Sequence, residues 1–141
     1  MISQNLERRT PPVDVCTFHV KHLPVLNEWR KGHALNECKI EDLPAIGFIS
    51  YHNDSPVAAA WLRHVEGGFA QIDNLIADPN KYPGKARSAC IDALVVKIID
   101  HAKKIGVSAI ISNTIDKTIL KRAQKHGFRI LPHFLMALEL Q

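Results

Sequence analysis

The chain has 141 residues and a net charge of +4, with 46% hydrophobic and 23% charged residues. Its composition is typical of a globular protein, and its length suits one core but not two. No apolar run approaches the roughly 20 residues that cross a bilayer, and the polar start MISQNLERRTPP lacks the apolar centre of a signal peptide. We therefore expect a cytoplasmic protein without a membrane partner. Residues 1–12 are expected to form a flexible arm and residues 13–141 a single domain.

The charge is unevenly distributed along the chain. Residues 1–80 contain seven Lys or Arg and ten Asp or Glu, whereas residues 81–141 contain eleven and four. A basic half suits either a nucleic acid or a polyanionic small molecule. The basic residues are scattered over predicted helices without interleaved aromatic residues, which argues against nucleic acid.

Cysteine and histidine give no metal pattern. The three cysteines, Cys16, Cys38 and Cys90, are odd in number and lack CxxC spacing. This predicts reduced, mostly buried thiols and no disulfide framework. The eight histidines have neither HExxH nor zinc-finger spacing, so no metal site is expected.

The first half of the chain predicts one helix and four strands. Residues 13–20 alternate as a strand does, and residues 22–34 carry apolar side chains at helical spacing. Residues 46–51, 57–65 and 69–77 are apolar and rich in strand-forming residues, and the turn signals NDSP and EGG separate them. Strands this close together predict an antiparallel meander.

The second half predicts a loop, two helices and three strands. The loop NKYPGKARS precedes a helix over residues 89–105 with an apolar stripe, and Gly106 ends that helix. By the crossover rule, a strand at residues 107–112 should lie parallel to the strand at residues 69–77. Thr114 or Asp116 should cap a helix that stops at Gly127. Residues 128–131 and 134–140 then predict a closing β-hairpin, apolar enough for the edge of a homodimer.

The loop before the long helix has the features of an anion site. The first turn of a helix has amide N–H groups without intrahelical partners, and the helix dipole places partial positive charge there. Lys81, Lys85 and Arg87 add full positive charges. A solvated loop is the other reading of the same residues.

Two segments resemble the GNAT superfamily of acyl-CoA-dependent N-acetyltransferases. NLIADPNKYPGKARSACIDAL is similar to the family's strand, glycine-rich loop and helix, and ILKRAQKHGFRI is similar to its last helix and the Gly-Phe step that follows. The resemblance implies an α/β (α+β) fold with a mixed, mostly antiparallel sheet of six to seven strands flanked by three to four helices. It also implies transfer of an acetyl group from acetyl-CoA to an amine acceptor.

The resemblance also assigns binding residues. In the family the loop binds the pyrophosphate of coenzyme A, and the pantetheine arm lies between two splayed strands. Carried over to this sequence, the pyrophosphate would lie on residues 81–88 and the pantetheine along residues 75–77, with the end of the next strand opposite. The cofactor-binding residues would be Leu75, Ile76, Ala77, Lys81, Tyr82, Gly84, Lys85, Ala86, Arg87, Ser88 and Asn113.

Catalysis is where the chain departs from the family pattern. Ala123 stands where many members have a tyrosine acid, and Gln71 where some have a glutamate base. Asp73, two residues further on the same strand face, is our candidate for the base, although it could instead be bonded to neighbouring backbone. In the loop, Pro83 has no N–H to offer a phosphate. A catalytically inactive GNAT-like domain with a binding or structural role therefore remains the alternative.

Five further side chains have both a functional and a structural reading. His52 and His64 lie on or beside the central strands and could accept a proton from an amine, or could be hydrogen-bonded sheet residues. Cys90 at the start of the long helix could be a nucleophile, but its apolar neighbours favour the core. Trp29 and Trp61 could line an acceptor pocket, but large apolar residues at these positions are more often core.

Overall fold

The computed structural model of the protein describes residues 12–65, 67–80, 84–114, 116–133 and 135–140. The predictions for residues 1–11, Glu66, Lys81, Tyr82 and Pro83 lie outside these ranges. None of the helices in the described ranges is long and apolar enough to span a membrane.

A five-stranded sheet forms the centre of the described chain. Its strands follow one another in chain order and are antiparallel, except that the last two are parallel. This confirms the predicted mixed, mostly antiparallel sheet, its meander and its parallel last pair. The strands are β1 Val13–Thr17, β2 Ile46–His52, β3 Ser55–Val65, β4 Phe69–Ala77 and β5 Ala109–Ile111.

Three α-helices accompany the sheet: α1 Leu23–Gly32, α2 Gly84–Lys104 and α3 Lys117–Lys125. Asp116 caps α3, since its carboxylate accepts the N–H groups of Thr118 and Ile119, as the sequence predicts. Helix α2 starts at Gly84 and not at residue 89, so the GKARS segment is helical and not a loop. The apolar stripe from which the helix was predicted does not include these residues, because the first turn of α2 contains no buried residue.

The core occupies both faces of the sheet. Leu94, Ile98 and other apolar residues of α2 pack on one face, together with Cys90. Helix α1 packs on the other face, where Trp29 and Trp61 are 3% and 1% exposed, so both tryptophans are core residues. All three thiols are free, but Cys16 is exposed and Cys38 is half-buried, which corrects the expectation of mostly buried cysteines.

The predicted closing hairpin is absent from the described residues. Residues 128–133 and 135–140 form no strand there, so the sheet has five strands and not six to seven. The segment has a strand-like apolar pattern, but a strand forms only where a neighbour supplies hydrogen bonds, and an isolated hairpin is marginal in water. Strand β5 is only three residues long, and Pro132 lacks an N–H group, so few backbone hydrogen bonds could form between β5 and this segment.

Candidate functional site

Strand β5 pairs with only the first three residues of β4. They pair only from Phe69 opposite Ala109 to Gln71 opposite Ile111. Beyond that point β4 continues to Ala77, while the chain leaves β5 at Ile111 and passes through exposed Asn113. Within the described residues no strand pairs with β4 beyond Gln71 on this side, which leaves an opening along its edge beside Leu75 and Ala77, whereas Ile76 pairs with Ala59 of β3. The predicted residue Asn113 follows β5.

A β-bulge interrupts β4 beside this opening. Trp61 lies opposite Asp73 and Ala59 opposite Ile76, so Ala60 alone faces Asn74 and Leu75. Asn74 has a φ of 55°, a left-handed conformation that asparagine tolerates better than most residues. A bulge leaves a residue unpaired and redirects the backbone. Polar backbone groups next to Leu75 are thus turned out of the β3–β4 ladder.

The far end of β4 is fixed by α1. Asp78 donates its N–H to the Val57 carbonyl at 2.7 Å, so the alternation of an antiparallel ladder turns the backbone of Ala77 away from β3. The Ala77 carbonyl accepts a hydrogen bond from His33 Nε2 at 2.8 Å. One predicted backbone partner of the pantetheine arm therefore already has a side-chain donor from the end of α1.

The start of α2 lies close to the end of β4. Arg87 Nη2 donates to the Pro79 carbonyl at 3.4 Å, while Gly84 and Lys85 are exposed. Amide groups of a first helical turn and nearby cations favour an anion. Ser88 is engaged elsewhere, since its Oγ accepts from Arg122 Nη2 at 3.0 Å and its carbonyl accepts from Nη1 at 3.2 Å.

A charged cluster joins α3 to α2 next to this helix start. Asp92 Oδ1 accepts from Arg122 and from His126, each at 2.9 Å, and Oδ2 accepts from Lys125 at 3.3 Å. Burial alone would raise the pKa of Asp92, but these three hydrogen bonds and the Arg122 charge lower it. The carboxylate therefore stays ionised and holds Arg122 beside Ser88.

The predicted base, Asp73, is paired with a cation. Arg63 on β3 donates to Asp73 Oδ2 from Nε at 3.0 Å and from Nη2 at 2.7 Å, across the diagonal of the strand pair. Both of these bonds go to Oδ2, and Oδ1 receives neither. The carboxylate is held by a side chain and not by neighbouring backbone, one residue before the bulge.

A histidine and a tyrosine form a buried pair that the sequence did not reveal. His22 Nδ1 accepts the His19 backbone N–H at 2.9 Å, and His22 Nε2 lies 2.9 Å from Tyr51 Oη. Because Nδ1 is an acceptor, the neutral ring carries its proton on Nε2 and donates to Tyr51, which leaves the phenol O–H available as a donor.

Burial keeps both members of this pair neutral. Burial lowers the pKa of His22, and the charges of Lys21 and His19 lower it further. Burial also raises the pKa of Tyr51, with a smaller contribution from Cys16. The pair joins the turn before α1 to the sheet.

Two of the remaining predicted candidates, Cys90 and His64, do not converge on this site. Cys90 is fully buried, and burial raises the pKa of its thiol, partly offset by a hydrogen bond with Ser50. This favours the core reading over a nucleophile. His64 is exposed near the opposite end of β3. In the part of the chain that the structure describes, no group of three His, Cys, Asp or Glu side chains is placed to hold a metal ion.

Sequence reasoning missed the bulge, the His22–Tyr51 pair and the Asp92 cluster. Asparagine in the middle of a strand was a usable signal for the bulge, since it disfavours strands and tolerates positive φ. Tyr51 and His22 are separated by 29 positions in the sequence, and His126 and Asp92 by 34. No local sequence spacing indicates contacts between residues so far apart.

Neither a protein-family model nor a curated protein sequence matches the chain. Solved structures match it closely in shape. A GNAT-family acetyltransferase from Streptococcus pneumoniae has a TM-score of 0.68 at 11% identity and covers 92% of this chain and 99% of its own. The ribosomal-protein alanine N-acetyltransferase of Escherichia coli has a TM-score of 0.68 at 18% identity, with 84% and 78% covered.

A third structure similar to this chain contains coenzyme A. It is N-acetylglutamate synthase from Neisseria gonorrhoeae, solved with coenzyme A and N-acetyl-glutamate, with a TM-score of 0.64 at 18% identity. It matches 82% of this chain, but the match spans only 28% of the synthase. Together these structures establish that the chain has the GNAT fold.

Proposed function

We propose that this chain is an N-acetyltransferase, which moves the acetyl group of acetyl-CoA to an amine acceptor. The proposal depends on one observation above all: β5 pairs with β4 only as far as Gln71, and beyond that point β4 has an edge without a strand partner in the described residues and a bulge at Asn74 in its pairing with β3. An open strand edge can pair with the amide groups of a pantetheine arm, as an added strand would. The acetyltransferases of the same fold support this assignment.

The proposed acetyl-CoA site combines the open edge with the start of α2. Leu75 and Ala77 offer backbone partners to pantetheine, Ile76 lies between them with its own backbone directed to Ala59, and Asn113 borders the other side. Gly84, Ala86 and Ser88 contribute backbone of the first helical turns, and Lys85 and Arg87 contribute charge toward the pyrophosphate. Lys81 and Tyr82 complete the set predicted from the sequence.

The proposed reaction is direct attack of the amine nitrogen on the thioester carbon. The carbon–nitrogen bond forms, the carbon–sulfur bond breaks, the amine loses a proton and the thiolate gains one. Backbone N–H groups of the bulge, beside Leu75, would stabilise the negative charge on the carbonyl oxygen. Asp73 would take the amine proton through Oδ1, directly or through water, while Arg63 holds Oδ2. Positioning of the two reactants would supply much of the remaining rate.

The acceptor would approach from the side of α1 and the turn between Tyr51 and Val57. Tyr51 lies on the α1 face and carries the phenol O–H that His22 leaves available. We further propose that residues 13–141 act as one domain and that the protein is a cytoplasmic homodimer. The three free thiols suit a reducing compartment.

The test measures acetyl-CoA binding and acetyl transfer separately. Binding at about 100 times Kd should stabilise the protein by about 2.7 kcal/mol, seen as a rise in Tm, and dephosphorylated coenzyme A or free pantetheine should raise it less. Lys85→Ala with Arg87→Ala should weaken binding, whereas Lys97→Ala, ten residues further along α2, serves as a control. Absence of any Tm rise at millimolar acetyl-CoA would refute the proposal.

Acetyl transfer is measured as release of the coenzyme A thiol in the presence of each of a panel of amines, which includes free amino acids, polyamines and peptide N-termini. Release that depends on the amine supports the enzyme. Binding without release over the whole panel would instead support the alternative, a GNAT-fold domain that binds coenzyme A without acetylating. Asp73→Asn should lower kcat more than it weakens acetyl-CoA binding if Asp73 is the base; an unchanged kcat would assign it a structural role.

A further inference from the structure

The residue that follows α1 reaches the open edge of β4. His33 caps α1, and its Nε2–H donates to the Ala77 carbonyl at 2.8 Å. A carbonyl oxygen can only accept, so the imidazole carries a proton on Nε2 while this bond is formed. The backbone of Ala77 points away from β3, because the next residue, Asp78, donates to the Val57 carbonyl. His33 therefore bonds to β4 on the side that has no strand partner beyond Gln71 in the described residues.

A tight turn at the end of α1 holds the backbone of His33 in place. The Ala34 N–H donates to the Lys31 carbonyl at 3.0 Å, and the Leu35 N–H donates to the Arg30 carbonyl at 2.8 Å. These are the two bonds of a common helix ending, in which glycine usually takes the left-handed position. Ala34 takes it here with a φ of 58°, which is unfavourable for a residue with a Cβ. Because the turn fixes its backbone, His33 can change its hydrogen-bond partner by rotation of its side chain alone.

A close approach of α1 to the segment after β4 brings His33 within reach of Ala77. A Cβ on Gly32 would lie 2.5 Å from Cγ of Pro79, so only glycine fits at this contact without a shift of the neighbouring atoms. The carbonyl of Pro79 also accepts from Arg87, at the start of α2. The end of α1, the end of β4 and the start of α2 therefore meet at the acetyl-CoA site proposed above.

We propose that the His33 imidazole competes with the pantetheine arm of acetyl-CoA for the Ala77 carbonyl, and so acts as a latch that weakens binding. This inference rests on the proposed function, in which a pantetheine amide N–H would donate to that carbonyl. Because the carbonyl faces the open side of β4, the amide would have to approach it from the side on which His33 lies. A ligand that binds only when the latch is open binds more weakly, by the fraction of molecules in which it is open. The product, coenzyme A, carries the same arm, so the latch would also favour its release.

The first measurement is the Kd of acetyl-CoA by titration calorimetry, on variants that a thermal melt has shown to be folded. His33→Ala removes the donor and should lower Kd about 2- to 10-fold, the range expected for loss of one neutral hydrogen bond. His33→Gln keeps an N–H donor of similar reach and should stay near the wild type. Lys31→Ala is the matched control, because it removes an exposed side chain from the same end of α1. Adenosine 3′,5′-bisphosphate lacks the pantetheine arm and should bind equally to the wild type and to His33→Ala.

The second measurement uses the wild type and does not depend on the folding of a variant. Long-range ¹H–¹⁵N NMR spectra of the imidazole rings report the environment of each ring nitrogen. The His33 signals, assigned through the bonds to its backbone, should shift on saturation with acetyl-CoA and should not shift with adenosine 3′,5′-bisphosphate.

The outcomes separate the latch from the proposed function. Tighter binding of acetyl-CoA alone by His33→Ala, with a shift of the His33 signals in the wild type, would support the latch. Three results would each overturn it and leave the proposed function standing: an unchanged or higher Kd, a gain in affinity that adenosine 3′,5′-bisphosphate shares, or His33 signals that acetyl-CoA does not move. Absence of acetyl-CoA binding to the wild type and to every variant would refute the proposed function and the latch together.

Discussion

Two substitutions at Asn74, in the bulge of β4, distinguish the effect of its backbone conformation from the effect of its side chain. Asn74 has a φ of 55°, where glycine is comfortable and a β-branched residue is not. We predict that Asn74→Gly leaves stability within about 0.5 kcal/mol of the wild type, whereas Asn74→Val loses about 1–3 kcal/mol. At about 3 °C per kcal/mol for a domain of this size, the valine variant should melt about 3–9 °C lower.

The same pair of variants should differ in acetyl transfer. If the bulge aims backbone N–H groups at the carbonyl oxygen, Asn74→Val should lower kcat about 10²–10³-fold, the usual effect of removing one such donor. Asn74→Gly should keep most of the activity, because it keeps the backbone conformation and loses only the amide side chain. Binding of acetyl-CoA should change less than kcat, since the proposed pyrophosphate contacts are at α2.

The assay is therefore a thermal melt, a binding isotherm and a steady-state rate on three proteins. Equal melting temperatures for the valine and glycine variants would refute the claim that the conformation of Asn74 is costly for other residues. A glycine variant as inactive as the valine variant would show instead that the asparagine amide acts directly.

Three further predictions follow from buried groups. Burial lowers the pKa of His22 in the folded state, so the unfolded chain binds this proton more readily. The titration of His22 therefore has no effect on stability above about pH 6.5, and below that pH the free energy of unfolding should fall by at most about 1.4 kcal/mol per pH unit. Urea titrations at pH 5–7 measure this slope, which His22→Gln should reduce. The pKa of Asp92 is lowered, so the ionised carboxylate stabilises the fold above about pH 4, and this stabilisation is lost as the pH falls further. In chemical denaturation at pH 7, Asp92→Asn should lower the free energy of unfolding by about 1–3 kcal/mol. Lys125→Ala, at a site 70% exposed, should lower it by less than about 0.5 kcal/mol. Gly47→Ala would place a Cβ inside the Trp61 indole and should destabilise by about 1–3 kcal/mol, with a visible change in tryptophan fluorescence; a neutral result would contradict the packing described.

Much of the fold could be predicted because its signals are local. The strand at Phe69–Ala77 has the predicted bounds, since an apolar run there lies between a Gly-Gly turn and a proline. The parallel placement of β5 followed from the handedness of a strand–helix–strand crossover. The cap at Asp116 followed from its position before an amphipathic helix.

The failures share a physical cause. The sequence 128–140 has the pattern of a strand pair, but pairing depends on which sheet edge is within reach. The start of α2 carries no apolar stripe, so Gly84–Ser88 resembled a loop. The site itself was only partly predictable. The open edge of β4 was expected from the family resemblance. The contact of Arg63 with Asp73 crosses two strands of the sheet, and the contact of Tyr51 with His22 joins the sheet to the turn before α1, so neither is marked by local sequence.

The weak attachment of α3 has a consequence for how the protein opens. None of the α3 residues is buried, and the helix is tied to α2 through polar contacts with Asp92 and Ser88, while β5 pairs over three residues. Regions with little buried apolar surface open with less free energy than the global unfolding of the core. We expect amide hydrogens of residues 109–125 to exchange well before those of β2 and β3, as one cooperative unit. Because that unit borders the coenzyme A site proposed above, entry of the cofactor and partial unfolding would involve the same local opening of the chain.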